Sequence, residues 1–318
     1  MSISTLIKSW LLPLHRHRKT KPDVFIFTLP RAGSSLLAEI LNTDPTAKTA
    51  SESLALDTNN ARVLGKYLDK ACWAERYVDV SATHFQQLIR YLEAQSEGKT
   101  WNSYYWSDIF SSTHHFRSSR TIFKIHRLSY YYGDLMHHFK DDFGLYLLRN
   151  PVAHSLSRMR QNWAEYIDLY AGSEKIKKHL TKEAQIKIKE VNATGSPLEK
   201  FVCSWCLENF VFIHAYQKGA LPGNVFPVFY EELVLEPEPV LREICRKIHM
   251  EYKENMVTAL NHPSRGIVHS TRETASQIHA GNKEYLVGRW KENSDGNSLE
   301  KAREILTSFG ISLYLDSL

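Results

Sequence analysis

Apolar runs alternate with stretches of helical periodicity along this chain. Four runs have the length and the aliphatic or aromatic content of buried strands, at residues 24–27, 121–125, 143–148 and 225–229, the last weakened by Pro227. Helical stripes follow the first, third and fourth runs, at Leu36, Leu37, Ile40 and Leu41, at Val152, Leu156, Met159 and Trp163, and over residues 239–249. Strands that alternate with helices predict an α/β fold, with a central parallel sheet flanked by helices in three layers.

The length of 318 residues allows a sizeable core. We predict a single α/β domain over residues 23–318, preceded by a basic N-terminal arm at residues 1–22. Two inserts interrupt the strand–helix pattern. Residues 58–118 are helical at first and then rich in aromatic residues, and residues 165–195 are rich in lysine, which is typical of a charged surface helix or a lid.

Composition narrows the classes of partner. The net charge of +5 suits an anionic small-molecule ligand and is too small to indicate nucleic acid. The sequence contains no run of eighteen apolar residues, so we predict no membrane-spanning helix. In the arm, apolar residues 6–14 precede basic residues 15–19, the reverse of the order in a signal peptide. The arm therefore either lies over the domain or makes a weak contact with a membrane surface.

The cysteine pattern indicates a reducing compartment. Cys203 and Cys206 form a C-x-x-C inside a predicted helix, and no second pair completes a zinc site. We expect buried, reduced thiols and a cytoplasmic location. No cluster of metal ligands stands out in the sequence, so no metal is expected.

Two segments directly follow predicted strands and carry most of the chemistry. The first contains Arg31, Ala32, Gly33, Ser34 and Ser35, and the second contains Arg149 and Ser157. A Gly/Ser turn before a helix directs backbone N–H groups and hydroxyls at an anion, whose charge the helix dipole favours. An arginine before a second helix supplies another phosphate contact. Both segments fall at the carboxyl ends of strands, where such sheets bind ligands, so we predict a ligand with two separated phosphates.

A nucleotide or sugar kinase of similar fold is one alternative function. Its triphosphate-binding loop needs G-x-x-x-x-G-K-[S/T]. The chain has Gly98-Lys99-Thr100, but Glu93 occupies the position of the earlier glycine. A second alternative is a non-catalytic nucleotide-binding protein.

Residues 30–37 resemble the phosphosulfate-binding loop of sulfotransferases that use 3′-phosphoadenylyl sulfate (PAPS), and residues 149–158 resemble the 3′-phosphate motif of that family. Residues 229–245 resemble its Tyr-Glu-Asp-Leu strand end and following helix, and residues 287–291 its Gly-x-Trp-Lys segment. The resemblance implies a P-loop-like fold and sulfonyl transfer from PAPS. The donor-binding residues that it implies are Arg31, Ala32, Gly33, Ser34, Ser35, Arg149, Ser157, Tyr230 near the adenine, and Lys283.

One departure from the family concerns Lys283. In the family, the basic residue seven positions before the tryptophan often touches the 3′-phosphate and belongs to an Arg-Lys-Gly triplet. Here that residue is Lys283, which is followed by Glu284 and Tyr285. The assignment of Lys283 is therefore the weakest part of the resemblance.

In-line transfer of a sulfonyl group needs positioned cations and a base for the acceptor proton. Arg31 and Lys124 are the candidate cations. Lys124-Ile125-His126 resembles the Lys-Thr-His of cytosolic sulfotransferases, which implies His126 as the base. Residues 41–52 resemble tyrosylprotein and several bacterial sulfotransferases, which implies Glu52 instead. As a base, Glu52 would need its pKa raised by burial, or it would serve by orienting the hydroxyl.

The acceptor is the least constrained partner. The aromatic run at residues 101–106 is typical either of a surface that stacks on sugar rings, of an apolar tunnel or of ordinary core. Our hypothesis is a small-molecule or glycan acceptor, such as a carbohydrate or glycolipid, that offers a hydroxyl or an amine.

Overall fold

In the computed structural model, residues 17–52, 54, 63–69, 78–100, 118–264 and 272–318 are described. Within these ranges, five parallel strands form one sheet in the order β2-β3-β1-β4-β5. The strands are β1 (Val24–Thr28), β2 (Ala47–Ser51), β3 (Arg120–Ile125), β4 (Phe143–Leu148) and β5 (Val225–Phe229). The predicted α/β class with a central parallel sheet is confirmed.

Helices cover both faces of this sheet. They are α1 (Ser34–Leu41), α2 (Ala82–Ser96), α3 (Tyr132–His138), α4 (Pro151–Met159), α5 (Ile167–Ala171), α6 (Glu174–Lys177), α7 (Lys182–Thr194), α8 (Pro197–Gln217), α9 (Tyr230–Leu235), α10 (Pro237–Lys247), α11 (Asn255–Thr258), α12 (Arg272–His279), α13 (Lys283–Gly288) and α14 (Gly296–Ser308). Short 3₁₀ turns lie at Ser129–Tyr131, Ala259–Asn261, Lys291–Asn293 and Leu315–Ser317. Among the described helices, none is both long and apolar enough to cross a membrane.

The two faces of the sheet bury two separate apolar clusters, because side chains alternate along each strand. Phe25 and Phe27 point into the larger cluster, with residues of α2, α3, α4, α8 and α14. Val24 and Ile26 point into the smaller cluster, with residues of α1, α10 and α11. The larger cluster runs from Phe25 to Leu318, so residues from both ends of the predicted domain share one core.

Strand β2 was not predicted, because its sequence Ala47–Ser51 contains no apolar run. All five of its residues are buried nevertheless. Lys48 stays buried by donating a hydrogen bond from Nζ to the Gln95 carbonyl, 3.2 Å away, at the end of α2. Burial lowers the pKa of Lys48 to about 7. The tertiary environment, not the local pattern, makes this segment a strand.

The prediction for the helix after β4 was too long. The stripe extended to Trp163, but α4 ends at Met159. Asn162 adopts a left-handed conformation with φ of 52°, which stops the helix, and Trp163 is exposed. The predicted strands 24–27, 121–125, 143–148 and 225–229 match β1, β3, β4 and β5, with Pro227 on an edge strand.

The structure describes the lysine-rich insert but not the aromatic run of the other insert. In residues 165–195, helices α5, α6 and α7 bury one apolar face in the larger core cluster, through Ile167, Ile176, Ala184, Ile188 and Val191. They form a charged surface layer that is packed on α8. The aromatic run 101–106, Cys72 and residues 1–16 of the arm lie outside the described residues, so the predicted acceptor surface and membrane contact stay predictions.

A buried ion pair joins α4 to α8. Arg158 Nη1 lies 2.8 Å from Glu208 Oε1, and both side chains are completely buried. Ser204 also donates a hydrogen bond to that carboxylate, and the Arg158 guanidinium donates to the Ala164 carbonyl. Breaking such a pair leaves an uncompensated buried charge.

We expect Glu208→Ala to lower the free energy of unfolding by about 3–5 kcal/mol, because Arg158 would lose its counter-charge. The matched control is Glu238→Ala, which removes an exposed partner of Arg242 on α10 and should cost no more than about 1 kcal/mol. Urea unfolding at 25 °C measures both. Equal losses in the two variants would contradict the buried-pair interpretation.

Candidate active site

Each strand of the sheet delivers one polar or aromatic candidate residue at its carboxyl end. Arg31 follows β1, Glu52 follows β2, His126 follows β3, Arg149 follows β4 and Tyr230 follows β5. Because all five strands are parallel, these ends share one edge of the sheet. The site is therefore assembled from segments that are far apart in the sequence.

The β1–α1 loop has the shape of an anion-binding turn. Arg31 and Gly33 both have positive φ angles, 77° and 102°. Gly33 is the N-cap of α1, and no side chain caps the first turn. The N–H groups at the start of α1 are thus directed out of the helix end, where the helix dipole favours a negative charge.

The second predicted segment differs from the first. The Asn150 side chain caps α4, accepting hydrogen bonds from the N–H groups of Val152 and Ala153 at 3.0 and 3.1 Å, and Pro151 occupies the first turn. The amides at this helix start are therefore already used. The side chains of Arg149 and Ser157, which the sequence analysis proposed as the phosphate contacts of this segment, remain its candidate ligand-binding groups.

The two segments contact each other. Arg149 Nη1 donates a hydrogen bond of 2.9 Å to the Arg31 carbonyl, and Arg31 Nε donates one of 3.3 Å to Ser157 Oγ. His154 is buried, and its Nε2 donates to the Pro30 carbonyl at 2.9 Å. These contacts place the Arg31 guanidinium beside Ser157.

Tyr230 lies between the loop and Arg149. The Arg149 guanidinium carbon is 4.5 Å from the centre of the Tyr230 ring. The Tyr230 ring also lies close to Gly33, where an added Cβ would lie 2.8 Å from Tyr230 Cε2 and closer still to Cδ2. Arg149 Nε is buried and has no hydrogen-bond partner among the described residues. An uncapped helix start and an orphaned guanidinium nitrogen suit a ligand with two anionic groups.

A second cluster surrounds Glu52. Lys124 Nζ lies 2.9 Å from Glu52 Oε1 and donates a hydrogen bond of 3.1 Å to Ser35 Oγ. His126 Nδ1 lies 3.5 Å from the same carboxylate oxygen, and its Nε2 is 2.9 Å from Ser34 Oγ. The structure thus brings together both candidate bases, one candidate cation and both serines of the loop.

The charge state of Glu52 differs from the expectation. Burial by itself would raise the pKa of Glu52, but the charges of His126, Lys124 and Arg127 outweigh burial and lower the pKa to about 2. The carboxyl group is therefore ionised throughout the neutral range. Glu52 also has a positive φ of 49°, and its N–H donates to the Lys124 carbonyl at 3.0 Å.

The carboxyl-terminal segment supports the Arg149 region. Glu231 accepts a hydrogen bond of 2.8 Å from the Asn150 N–H and one of 3.2 Å from the Tyr314 hydroxyl. Ser317 Oγ lies 3.4 Å from Asn150 Nδ2. Burial raises the pKa of Glu231, and these donors act against that effect. The last turn of the chain thus fixes the strand end that carries Arg149.

Two arginines near the site were missed by the sequence analysis. Arg127 follows His126 and acts on the charge of Glu52. Arg289 follows α13 and interacts electrostatically with Arg149 and Tyr230. The missing Arg-Lys-Gly triplet was the available signal, because a phosphate pocket that lacks its usual cation needs another one. Lys283 starts α13, six residues before Arg289.

Solved structures offer distant likenesses. A sulfotransferase domain from the Synechococcus PCC 7002 olefin synthase has 16% identity and a TM-score of 0.44, covering 90% of this chain and 95% of that one. A sulfotransferase domain from the curacin biosynthetic pathway has 14% identity and a TM-score of 0.48, covering 93% and 99%. A mouse sulfotransferase complexed with PAP has 14% identity and a TM-score of 0.43, covering 98% and 93%. No curated protein sequence matches the chain.

The model of the sulfotransferase family matches residues 22–254. The match covers well over half of the chain and includes both segments that are predicted to bind phosphate, as well as Glu52, Lys124, His126 and Tyr230. It confirms the predicted enzyme class, a PAPS-dependent sulfotransferase, against the kinase alternative. The chain belongs to the sulfotransferase family.

Proposed function

We propose that the sheet edge described above is the site at which this chain transfers the sulfonyl group of PAPS to a hydroxyl of a small-molecule or glycan acceptor. One observation carries the proposal: the β1–α1 loop contacts both clusters at once. Its Ser34 and Ser35 reach His126 and Lys124, and its Arg31 carbonyl accepts from Arg149. A donor held by the loop would therefore have the candidate base on one side and the arginine cluster on the other.

Donor binding follows from the groups on each side of the loop. The backbone amides of the loop and the hydroxyls of Ser34 and Ser35 suit the phosphosulfate end of the donor. The loop residues just before these serines, Arg31, Ala32 and Gly33, belong to the same binding segment. Arg149 and Ser157 suit the 3′-phosphate. Tyr230, which already stacks beneath Arg149, suits the adenine face. When bound, PAPS supplies an activated sulfonyl group.

Lys124 is the cation best placed to stabilise charge on the transferring oxygens. Its ammonium lies between Ser35 Oγ and the Glu52 carboxylate, at 3.1 and 2.9 Å. Arg31, the other candidate, has its guanidinium on the Ser157 side of the loop. We therefore assign the sulfonyl end to Lys124 and the phosphate end to Arg31.

Glu52 is the residue to which we assign the acceptor proton. Its side chain is 21% exposed, against 8% for His126, so it is the more accessible of the two. It is ionised at neutral pH, which is the form that accepts a proton, although a carboxylate paired with Lys124 is a weak base. Any weakening of that pair raises its pKa and strengthens it as a base. His126, between Glu52 and Ser34, serves to position both.

We also propose that the protein is located in the cytoplasm. Cys203 and Cys206 lie one turn apart on α8, are buried and are free thiols. Burial raises the pKa of Cys203 to about 12, so this thiol stays protonated. Buried, unreactive thiols support a reducing compartment.

A pair of substitutions separates the two candidate bases. Glu52→Gln should lower the single-turnover rate by about a hundredfold or more, because the proton acceptor is lost. His126→Gln should lower it by about tenfold or less, the cost of one positioning hydrogen bond. Rapid-quench transfer to a hydroxyl acceptor at saturating PAPS measures both. A Glu52→Gln variant that keeps near-wild-type turnover would remove Glu52 from the role of base.

The pH profile provides an independent test. Because the pKa of Glu52 is about 2 in the free enzyme, its ionised fraction does not change between pH 5 and 8, and kcat/KM should be flat on the acidic side of that range. A histidine base would instead lose activity as the pH falls through the range in which imidazole titrates. An acidic limb between pH 6 and 7 in the wild type would assign the proton to His126.

A glycine substitution tests the donor pocket. Gly33→Ala should cost about 1–2 kcal/mol of stability through its positive φ, and should also displace the Tyr230 ring and weaken binding of adenosine 3′,5′-bisphosphate at least tenfold. Gly219→Ala is the matched control, with a φ of 63° and open space around its Cβ. It should lose similar stability and no affinity. Thermal unfolding and titration calorimetry measure the two effects, and equal affinities in both variants would contradict the pocket.

A transfer assay tests the acceptor and the remaining non-catalytic alternative. Incubation with PAPS labelled in the sulfonyl group and a crude extract should label small-molecule or glycan fractions, with Glu52→Gln as the inactive control. A chelator should leave the rate unchanged if no metal takes part. Binding of the bisphosphate without any labelled product would favour the non-catalytic alternative.

A further inference from the structure

Arg289, just past the end of α13, is within electrostatic range of Tyr230 at the start of α9. Helix α13 packs on α9, whose first residue is Tyr230. Arg289 follows α13 directly, and its Nη1 donates a hydrogen bond of 2.6 Å to Thr274 Oγ1 on α12. That hydrogen bond fixes one arm of the guanidinium and leaves its remaining N–H groups for other partners. Arg289 is thus a half-buried, oriented cation next to the proposed adenine and phosphate region.

Two further arginines are within electrostatic range of Arg289. Burial lowers the pKa of Arg289, and the like charges of Arg149 and Arg160 lower it further, while Tyr230 acts in the opposite sense. Arg160 lies one residue after the end of α4 and is exposed. Like charges at a partly buried site repel each other, and an anion between them would remove that cost.

We propose that Arg289, with Arg160 beside it, completes the pocket for the 3′-phosphate of the donor, in the place that the resemblance gave to Lys283. The proposal rests on the proposed donor-binding mode. Arg149 approaches from the end of β4 and Arg289 from the end of α13, so the phosphate would be held by guanidinium groups from two separate parts of the chain. Guanidinium groups form paired hydrogen bonds with phosphate oxygens, which gives geometric selectivity as well as charge.

Lys283 is less well placed for this role. It lies at the other end of α13, about 9 Å along the helix axis from Arg289. The basic residue near the Arg149 cluster is therefore the one that follows the carboxyl end of α13, and not Lys283 at its first position. The missing Arg-Lys-Gly triplet and the presence of Arg289 have one common explanation: the cation is supplied from a different position.

Nucleotides that differ by the 3′-phosphate alone provide the experiment. The dissociation constants of adenosine 3′,5′-bisphosphate and adenosine 5′-monophosphate are measured by titration calorimetry at one salt concentration. Arg289→Met should weaken binding of the bisphosphate by about tenfold to a hundredfold, the value of one charge-assisted contact, and binding of the monophosphate by less than about threefold. Arg289→Lys should restore part of the loss.

Three further variants make the result specific. Arg160→Met, at an exposed position that should not affect folding, should weaken bisphosphate binding by a smaller factor, also without effect on the monophosphate. Lys283→Met should change neither ligand as much as Arg289→Met does. Arg242→Met, on an exposed ion pair of α10, is the control for loss of a surface arginine.

The outcomes separate this proposal from the donor-binding mode on which it rests. If the wild type does not prefer the bisphosphate, the proposed donor fails, and this inference fails with it. If the wild type prefers the bisphosphate and Arg289→Met keeps that preference, only the role of Arg289 is overturned. A loss of preference in Lys283→Met but not in Arg289→Met would return the role to Lys283.

Discussion

The β1–α1 loop depends on hydrogen bonds to its carbonyl oxygens. Its strained backbone, with Arg31 and Gly33 at positive φ, is held by His154 on the Pro30 carbonyl and by Arg149 on the Arg31 carbonyl. Both donors come from the strand end and helix that follow β4. The neighbouring strands β1 and β4 thus fix each other's loops, and the amides at the start of α1 keep their direction without a side-chain cap.

The pair of Glu52 and Lys124 sets the charge of the other half of the site. In a partly buried place the carboxylate and the ammonium stabilise each other, so neither carries a net unbalanced charge into the cleft. The same lysine also contacts the loop through Ser35. A change in the loop can therefore alter the basicity of Glu52 through one side chain, which links donor binding to the proposed proton acceptor.

The sequence predicted those features that depend on local pattern. Residues 24–27 and 143–148 are apolar enough to be recognised as strands, and the Gly/Ser turn after the first one carries its own signature. Strand β2 was not predicted, because it buries Lys48 and other polar residues, and only tertiary contacts make that burial possible. Arg289 was not identified as a candidate site residue, because the residues near it in the structure are remote in the sequence. The cap at Asn150 was readable from Asn-Pro, and it leaves two similar segments with different groups to offer a ligand.

The hydrogen bond between Arg31 and Ser157 joins the two halves of the proposed nucleotide site, the β1–α1 loop and the segment that carries Arg149. Groups that share a partner do not contribute independently, so their energies are not additive. For fragment-based inhibitor discovery, a compound that binds Arg31 at the phosphate end of the loop would compete with its hydrogen bond to Ser157 and thereby reshape the adenosine side. Affinities of separately optimised fragments would then be a poor guide to a linked molecule, and screening each fragment with the other half already filled would be the sounder route.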